Sequence, residues 1–200
     1  MAQAITTAND SVRNFGGVES SLGSLGRSAA PLAPGDVAHV FSLPDADMEM
    51  FDLAQALRRH IVVLYFYPRD SMPSSKRMAI EFSDNEEAFT HCGAQVVGVS
   101  LDDCLTHAAF CDEHGLSVKL LSDSDAEACR LYGVWQEREV GGVLRPTVQR
   151  KTFIIGRDGL IHHIFDDIGP QDDHAAQVLE LVQELAKGKN GNRQEHGRHT

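Results

Sequence analysis

Tyr65-Phe66-Tyr67-Pro68-Arg69-Asp70-Ser71-Met72-Pro73-Ser74-Ser75 is where an apolar strand pattern hands over to a helical one. Upstream, His60-Ile61-Val62-Val63-Leu64-Tyr65-Phe66-Tyr67 is a β-prone run, almost wholly apolar, that ends at Pro68. A polar loop follows, and a helical pattern begins at about Ser75. Ser75 is thereby placed at a strand-to-helix junction, where backbone N–H groups and the helix dipole favour a developing negative charge.

On either side of this junction, strand and helix patterns alternate. Residues 37–43 read as a short edge strand, and residues 52–60 as a short helix with Asp52 at its N-cap, leading into a central strand over 61–67. A helix is expected from 75 to about 91, broken near Ser83-Asp84-Asn85, and then a strand over 95–100. Asp102 or Asp103 can cap a helix that reaches His114 and stops at Gly115. Residues 123–132 read as a helix, 151–155 and 160–165 as a hairpin turning at Arg157-Asp158-Gly159, and 171–186 as a closing amphipathic helix. Strands separated by helices imply an α/β sheet covered on both faces.

Four further strings, Ala94-Gln95-Val96-Val97-Gly98-Val99-Ser100, Leu120-Leu121-Ser122-Asp123, Leu131-Tyr132-Gly133-Val134 and Arg150-Lys151-Thr152-Phe153-Ile154-Ile155, stand in order and at spacings that resemble the peroxiredoxins, most closely the peroxiredoxin Q or bacterioferritin comigratory group. The resemblance runs from about Gly35 to Lys187. It implies a thioredoxin-like fold, a central mixed sheet with helices on both faces, in a monomer or weak dimer that reduces hydroperoxides at the expense of a thioredoxin-like reductant. The family's Pro-x-x-x-Thr-x-x-Cys motif, laid on this chain, reads Pro68, Met72, Ser75, so the peroxidatic cysteine position holds a serine. Arg150 matches the arginine that lowers the cysteine pKa and holds the peroxide. Of the two resolving arrangements in the group, the one five residues after the first cysteine falls on Ile80 and is absent. The other, within Phe-Cys after a Ser-His string, resembles Thr106-His107-Ala108-Ala109-Phe110-Cys111 and puts Cys111 at the resolving position.

Peroxide reduction needs a thiolate that becomes a sulfenic acid. An arginine and a helix N-terminus can lower a cysteine from about 8.5 into the neutral range, but a serine stays protonated there and has no sulfenic rung to climb. Met72, in place of the threonine, offers only a weakly accepting thioether. Ser74 and Lys76 replace the flanking glycine and threonine, a spread of changes that favours a natural loss over a single engineered sulfur-to-oxygen exchange. Three functions follow: a thiol peroxidase lineage acting on hydrogen peroxide and organic hydroperoxides, a pseudoenzyme binding a small ligand or protein, or a thiol switch through Cys111. A serine hydrolase fits less well, since Gly-x-Ser-x-Gly is missing and Arg150 cannot take a proton; N-capping is the ordinary job of a serine at Ser75.

The composition sets outer bounds. With 200 residues, 42% apolar and 24% charged, the chain can bury one full core. Residues 35–187 are expected to form that domain, with flexible ends at 1–34, rich in Ala, Ser, Gly and Thr, and at 188–200. A net charge of −11 opposes generic binding to nucleic acid or anionic membrane, and no apolar run approaches a membrane span, so a soluble, cytoplasmic protein is expected. Cys92, Cys104, Cys111 and Cys129 lack paired spacing and read as reduced thiols. Cys104, His107, Cys111 and His114 form a stripe on one expected helix, but it spans about 15 Å and cannot converge on one ion, so no metal is expected. No cofactor is expected.

Overall fold

In the computed structural model, residues 31–166, 168 and 173–191 are described. In chain order they form β1 (Ser42–Pro44), β2 (Met50–Asp52), α1 (Leu53–Leu57), β3 (Ile61–Phe66), α2 (Pro73–Asp84), α3 (Glu86–His91), β4 (Ala94–Ser100) and α4 (Cys104–His114). There follow β5 (Lys119–Ser122), α5 (Glu127–Leu131), β6 (Trp135–Val140), β7 (Val143–Val148), β8 (Lys151–Ile155), β9 (Ile161–Asp166) and α6 (His174–Gly191). Five strands make one sheet in the order β5-β4-β3-β8-β9. β3, β4 and β5 run parallel, while β8 and β9 are antiparallel additions, so the sheet is mixed as expected.

The apolar run at β3 is fully buried because both of its faces are covered. Val62, Leu64 and Phe66 join one core cluster with Leu53 and Leu57 of α1 and Ala128 and Cys129 of α5. Ile61, Val63 and Tyr65 join the other with residues of α2, α3, α4 and α6, among them Met78, Phe89, Phe110 and Val178. This is the period of two expected of a strand between two layers. Gly98 of β4 lies opposite Tyr65 on the second face, where an added Cβ would stand 2.5 Å from Tyr65 Cζ. The glycine is what lets that ring lie flat across its neighbour.

Several elements differ from expectation. Residues 37–43 do not form an edge strand of the sheet: Val37 makes a single bridge to Leu160, and the strand at Ser42–Pro44 pairs with β2 instead. Val37 and Val40 are exposed while Ala38, Phe41 and Leu43 turn to the core, a spacing that does not keep the strand period of two along the segment. The helix expected from 123 starts at Glu127, because the Asp123 carboxylate turns back to accept the N–H groups of Ala128 and Cys129 and Ala126 adopts φ 56°. The ribbon β6–β7 is wholly additional. Its turn is Gly141-Gly142 with φ 63° and 79°, the paired positive dihedrals that a tight hairpin needs. Asp103, not Asp102, caps α4 by accepting from Thr106 N at 2.8 Å.

The last helix begins at His174 and continues to Gly191, past the expected boundary at 187; the expected start at Gln171 lies outside the described residues. So do most of the N-terminal extension and the end of the C-terminal tail. Among the described residues, no helix is long and apolar enough to cross a membrane.

Candidate functional site

β3 delivers the chain to Pro68, and the loop that follows runs into α2 with Met72 as N-cap and Pro73 at the first helical position. Proline suits that position because its fixed φ is helical and its missing N–H is not needed there. Ser75 is therefore not the N-cap that its residue type suggests. It sits inside the first turn, 1% exposed, with its N–H bonded to Met72 O at 2.9 Å. Met72 offers no side-chain cap.

What holds the Ser75 side chain is Arg150. Its Nη2 donates to Ser75 Oγ at 3.0 Å and to Ser74 Oγ at 2.6 Å. Arg150 lies in the two-residue connection between β7 and β8, just ahead of the strand expected from 151, which frees its side chain to reach α2. Burial and the neighbouring Arg77 both lower its pKa, yet a guanidinium remains charged at any physiological pH. Its Nη1 is buried and has no hydrogen-bond partner. Arg150, Pro68 and Met72 line one cavity of about 310 Å³, whose far wall is Gln136, Arg138 and Thr147 of the ribbon.

The loop is anchored from beneath by a buried polar network. Asp70, 4% exposed, accepts from Tyr67 Oη at 2.7 Å and meets His107 Nδ1 at 2.7 Å. His107, fully buried, places Nε2 3.2 Å from Leu121 O. A carbonyl only accepts, so Nε2 carries a proton and the Nδ1 contact shares another with Asp70. Burial, then Tyr65 and Asp70, raise the Tyr67 phenol well above its ordinary pKa, which keeps it a donor. Asp70 N in turn donates to Asp102 at 2.8 Å, which also accepts from Ser100 Oγ at 3.0 Å. The loop is thereby tied to α4, β4 and β5. His107 is committed to this network and is not available as a metal ligand; among the described residues no cluster of three or more ligating side chains occurs.

Cys111 lies one turn beyond His107 on α4. It is half-buried against the second core cluster, and burial, with Asp70 next in size, pushes its thiol up to about 11. All four cysteines are free. A cleft of about 820 Å³ separates the loop from α4, with Met72, Pro73 and Lys76 on one wall and Leu105, Thr106 and Phe110 on the other.

Pro68, Met72, Ser75 and Arg150 thus converge, and Cys111 stands apart on a neighbouring helix. A hydroxyl whose partner is a permanent cation has no base to accept its proton, so the geometry suits anion or peroxide recognition rather than serine nucleophilic catalysis. Asp70, Tyr67 and the ribbon escape a reading of the sequence. The Gly-Gly pair between two β-prone runs was the available signal for the ribbon, whereas nothing local connects Asp70 to a histidine 37 residues away.

A model of the AhpC/TSA family matches residues 34–164. The chain is 35% identical over 156 residues to peroxiredoxin Bcp of Escherichia coli, covering 78% of this chain and 99% of that one. Among solved structures it resembles peroxidoxin BcpB from Mycobacterium tuberculosis, with TM-score 0.68, 30% identity, and coverage of 76% of this chain and 97% of that one. It also resembles a Cys-to-Ser mutant of Xylella fastidiosa PrxQ, with TM-score 0.72, 29% identity, and coverage of 79% and 99%. The fold is thioredoxin-like.

Proposed function

The chain belongs to the AhpC/TSA family, and from that premise we propose that it is a peroxiredoxin of the Bcp and Q group in which Ser75 occupies the peroxidatic position, leaving it without substantial peroxidase turnover. The observation that carries this reading is the Arg150 to Ser75 hydrogen bond at 3.0 Å, at the first turn of α2 and beside Pro68. In an active member a thiolate attacks one peroxide oxygen. The S–O bond forms as the O–O bond breaks, and the leaving alkoxide or hydroxide takes a proton. Arg150 and the α2 N-terminus are the groups that would stabilise the thiolate and the departing oxygen. Ser75 presents a neutral hydroxyl with no base, and Met72 supplies no donor to orient the peroxide, so the first step does not start.

What remains is a pocket that recognises a hydroperoxide-like ligand without consuming it. We assign the domain to residues 35–187, with the end of α6 running on to Gly191. A thiol switch through Cys111 is the weaker reading: burial pushes its thiol up to about 11, which leaves little reactive thiolate at neutral pH.

Stopped-flow mixing of the reduced chain with hydrogen peroxide and with cumene hydroperoxide, coupled to reduced thioredoxin, tests the proposal. Consumption no faster than that by free cysteine is expected. A second-order rate orders of magnitude above free cysteine would overturn it.

A further inference from the structure

The ribbon β6–β7 brings an unneutralised cluster of arginines to the mouth of this pocket. Arg138 and Arg145 are directly opposite one another in the antiparallel register. They therefore share a face, with Cβ atoms about 5 Å apart, an arrangement that like charges disfavour. Gln136 and Thr147 pair on the same face, and Gln136, Arg138 and Thr147 line the cavity together with Arg150. Glu137 and Glu139 alternate onto the other face of the ribbon and cannot compensate. Among the described residues, no ion pair joins Arg138, Arg145 or Arg150 to a carboxylate. In a chain of net charge −11, two open cations in the wall of one cavity, Arg138 and Arg150, with Arg145 beside Arg138 on the same ribbon face, are a selective feature. Arg150 also keeps a buried Nη1 with no partner.

Pro68, Met72, Val148 and Ile168 add an apolar stretch to the cavity wall, beside Gln149. We propose that the cavity binds a small amphipathic carboxylate bearing an oxygen at its far end: Arg138 in the cavity wall, reinforced by its cross-strand neighbour Arg145, holds the carboxylate, the short chain lies over Pro68, Met72 and Val148, and the terminal oxygen meets Arg150. This names the ligand class for the pocket and rests on the reading that Ser75 and Arg150 mark its reacting end. A volume of about 310 Å³ limits the ligand to a short chain. Paired guanidinium contacts to a carboxylate are charge-assisted, so the anion is favoured over a neutral molecule of the same length.

The test is an NMR titration of the full chain with 6-hydroxyhexanoate and, separately, with neutral 1,6-hexanediol, following the backbone amides and the arginine Nε–H signals. The hydroxy acid is expected to bind saturably, at least about tenfold more tightly than the diol, moving the signals of Arg138 and Arg150. That preference should disappear in 200 mM salt and in R138Q/R145Q. Both arginines are exposed and removal of a like-charge pair relieves repulsion, so this variant should melt no lower than the parent, which a thermal scan verifies. Equal binding of acid and diol, no saturable shift up to 20 mM acid, or an unchanged preference in the double variant would overturn the proposal. If Ser75→Cys gains peroxide reactivity while the hydroxy acid shows no preference, the assignment of Ser75 stands and the carboxylate site falls.

Discussion

Replacing Asp70 by alanine tests whether the buried network beneath the loop is what fixes Met72 and Ser75 in place. The substitution removes the acceptor of the Tyr67 hydroxyl and the partner of His107 Nδ1, each 2.7 Å away, and leaves both groups buried. An orphaned buried polar group costs about 1–3 kcal/mol, and breaking a buried charge pair from one side about 3–5 kcal/mol. A loss of about 3–5 kcal/mol is expected, a large share of the roughly 5–15 kcal/mol that holds a domain folded. At about 2–4 °C per kcal/mol for a chain of this size, the melting temperature should fall by about 6–20 °C. Asp70→Asn should be milder. Its amide oxygen can serve Tyr67 and its N–H₂ can donate to an unprotonated His107 Nδ1, while Nε2 keeps its bond to the Leu121 carbonyl. Urea unfolding of parent, Asn and Ala variants, extrapolated linearly, gives the three stabilities. A loss below about 1 kcal/mol for Asp70→Ala, or Asn as damaging as Ala, would refute the reasoning.

Two further outcomes follow from the charges. Cys111 should resist alkylation at pH 8 and gain reactivity only toward pH 11, as followed by mass spectrometry after timed iodoacetamide pulses; a midpoint near 8.5 would show a thiol open to water and contradict its burial. Burial raises the Asp45 carboxyl, but the Lys119 ammonium and the amides of Glu49 and Asp47 outweigh it and hold the pKa below its ordinary 3.8. A depressed pKa stabilises the folded state above the ordinary value and ceases to do so as pH falls through the folded one. The stability gap between parent and Asp45→Asn, read by denaturation from pH 6 down to pH 2.5, should therefore hold above about pH 4 and close below it.

The sheet and its layers were legible because β3 is an uninterrupted apolar run and two of the helices that cover it, α2 and α6, carry an amphipathic period. The strings around Val96, Leu121 and Phe153 also sit on β4, β5 and β8 of the same sheet as β3, and all three residues are buried, so the family resemblance and the physical core coincide. The ribbon was less legible. Trp135 to Val140 carries three charges, Pro146 interrupts the return strand, and an isolated two-stranded ribbon buries too little to impose an apolar alternation. Ser75 as an N-cap failed for a local reason: Pro73 sets a helical φ two residues earlier, and a proline at the first helical position was the signal to weigh. Arg150 was identifiable by its string, but its reach to both serines depends on a break between β7 and β8 that periodicity does not reveal. Asp70 owes its role to contacts far away in sequence.

The most direct measurement is a single-turnover comparison of the parent chain with Ser75→Cys. Each is mixed with one equivalent of hydrogen peroxide in the presence of dimedone and then subjected to peptide mass spectrometry. If Arg150 and the first turn of α2 still form a peroxidatic environment, Ser75→Cys should carry the dimedone adduct at position 75 within seconds. The rate should rise further on Met72→Thr, which restores a donor beside the peroxide, while the parent remains unmodified at position 75. Rapid peroxide consumption by the parent, or a Ser75→Cys thiol no more reactive than free cysteine, would contradict the assignment of Ser75 to the peroxidatic position.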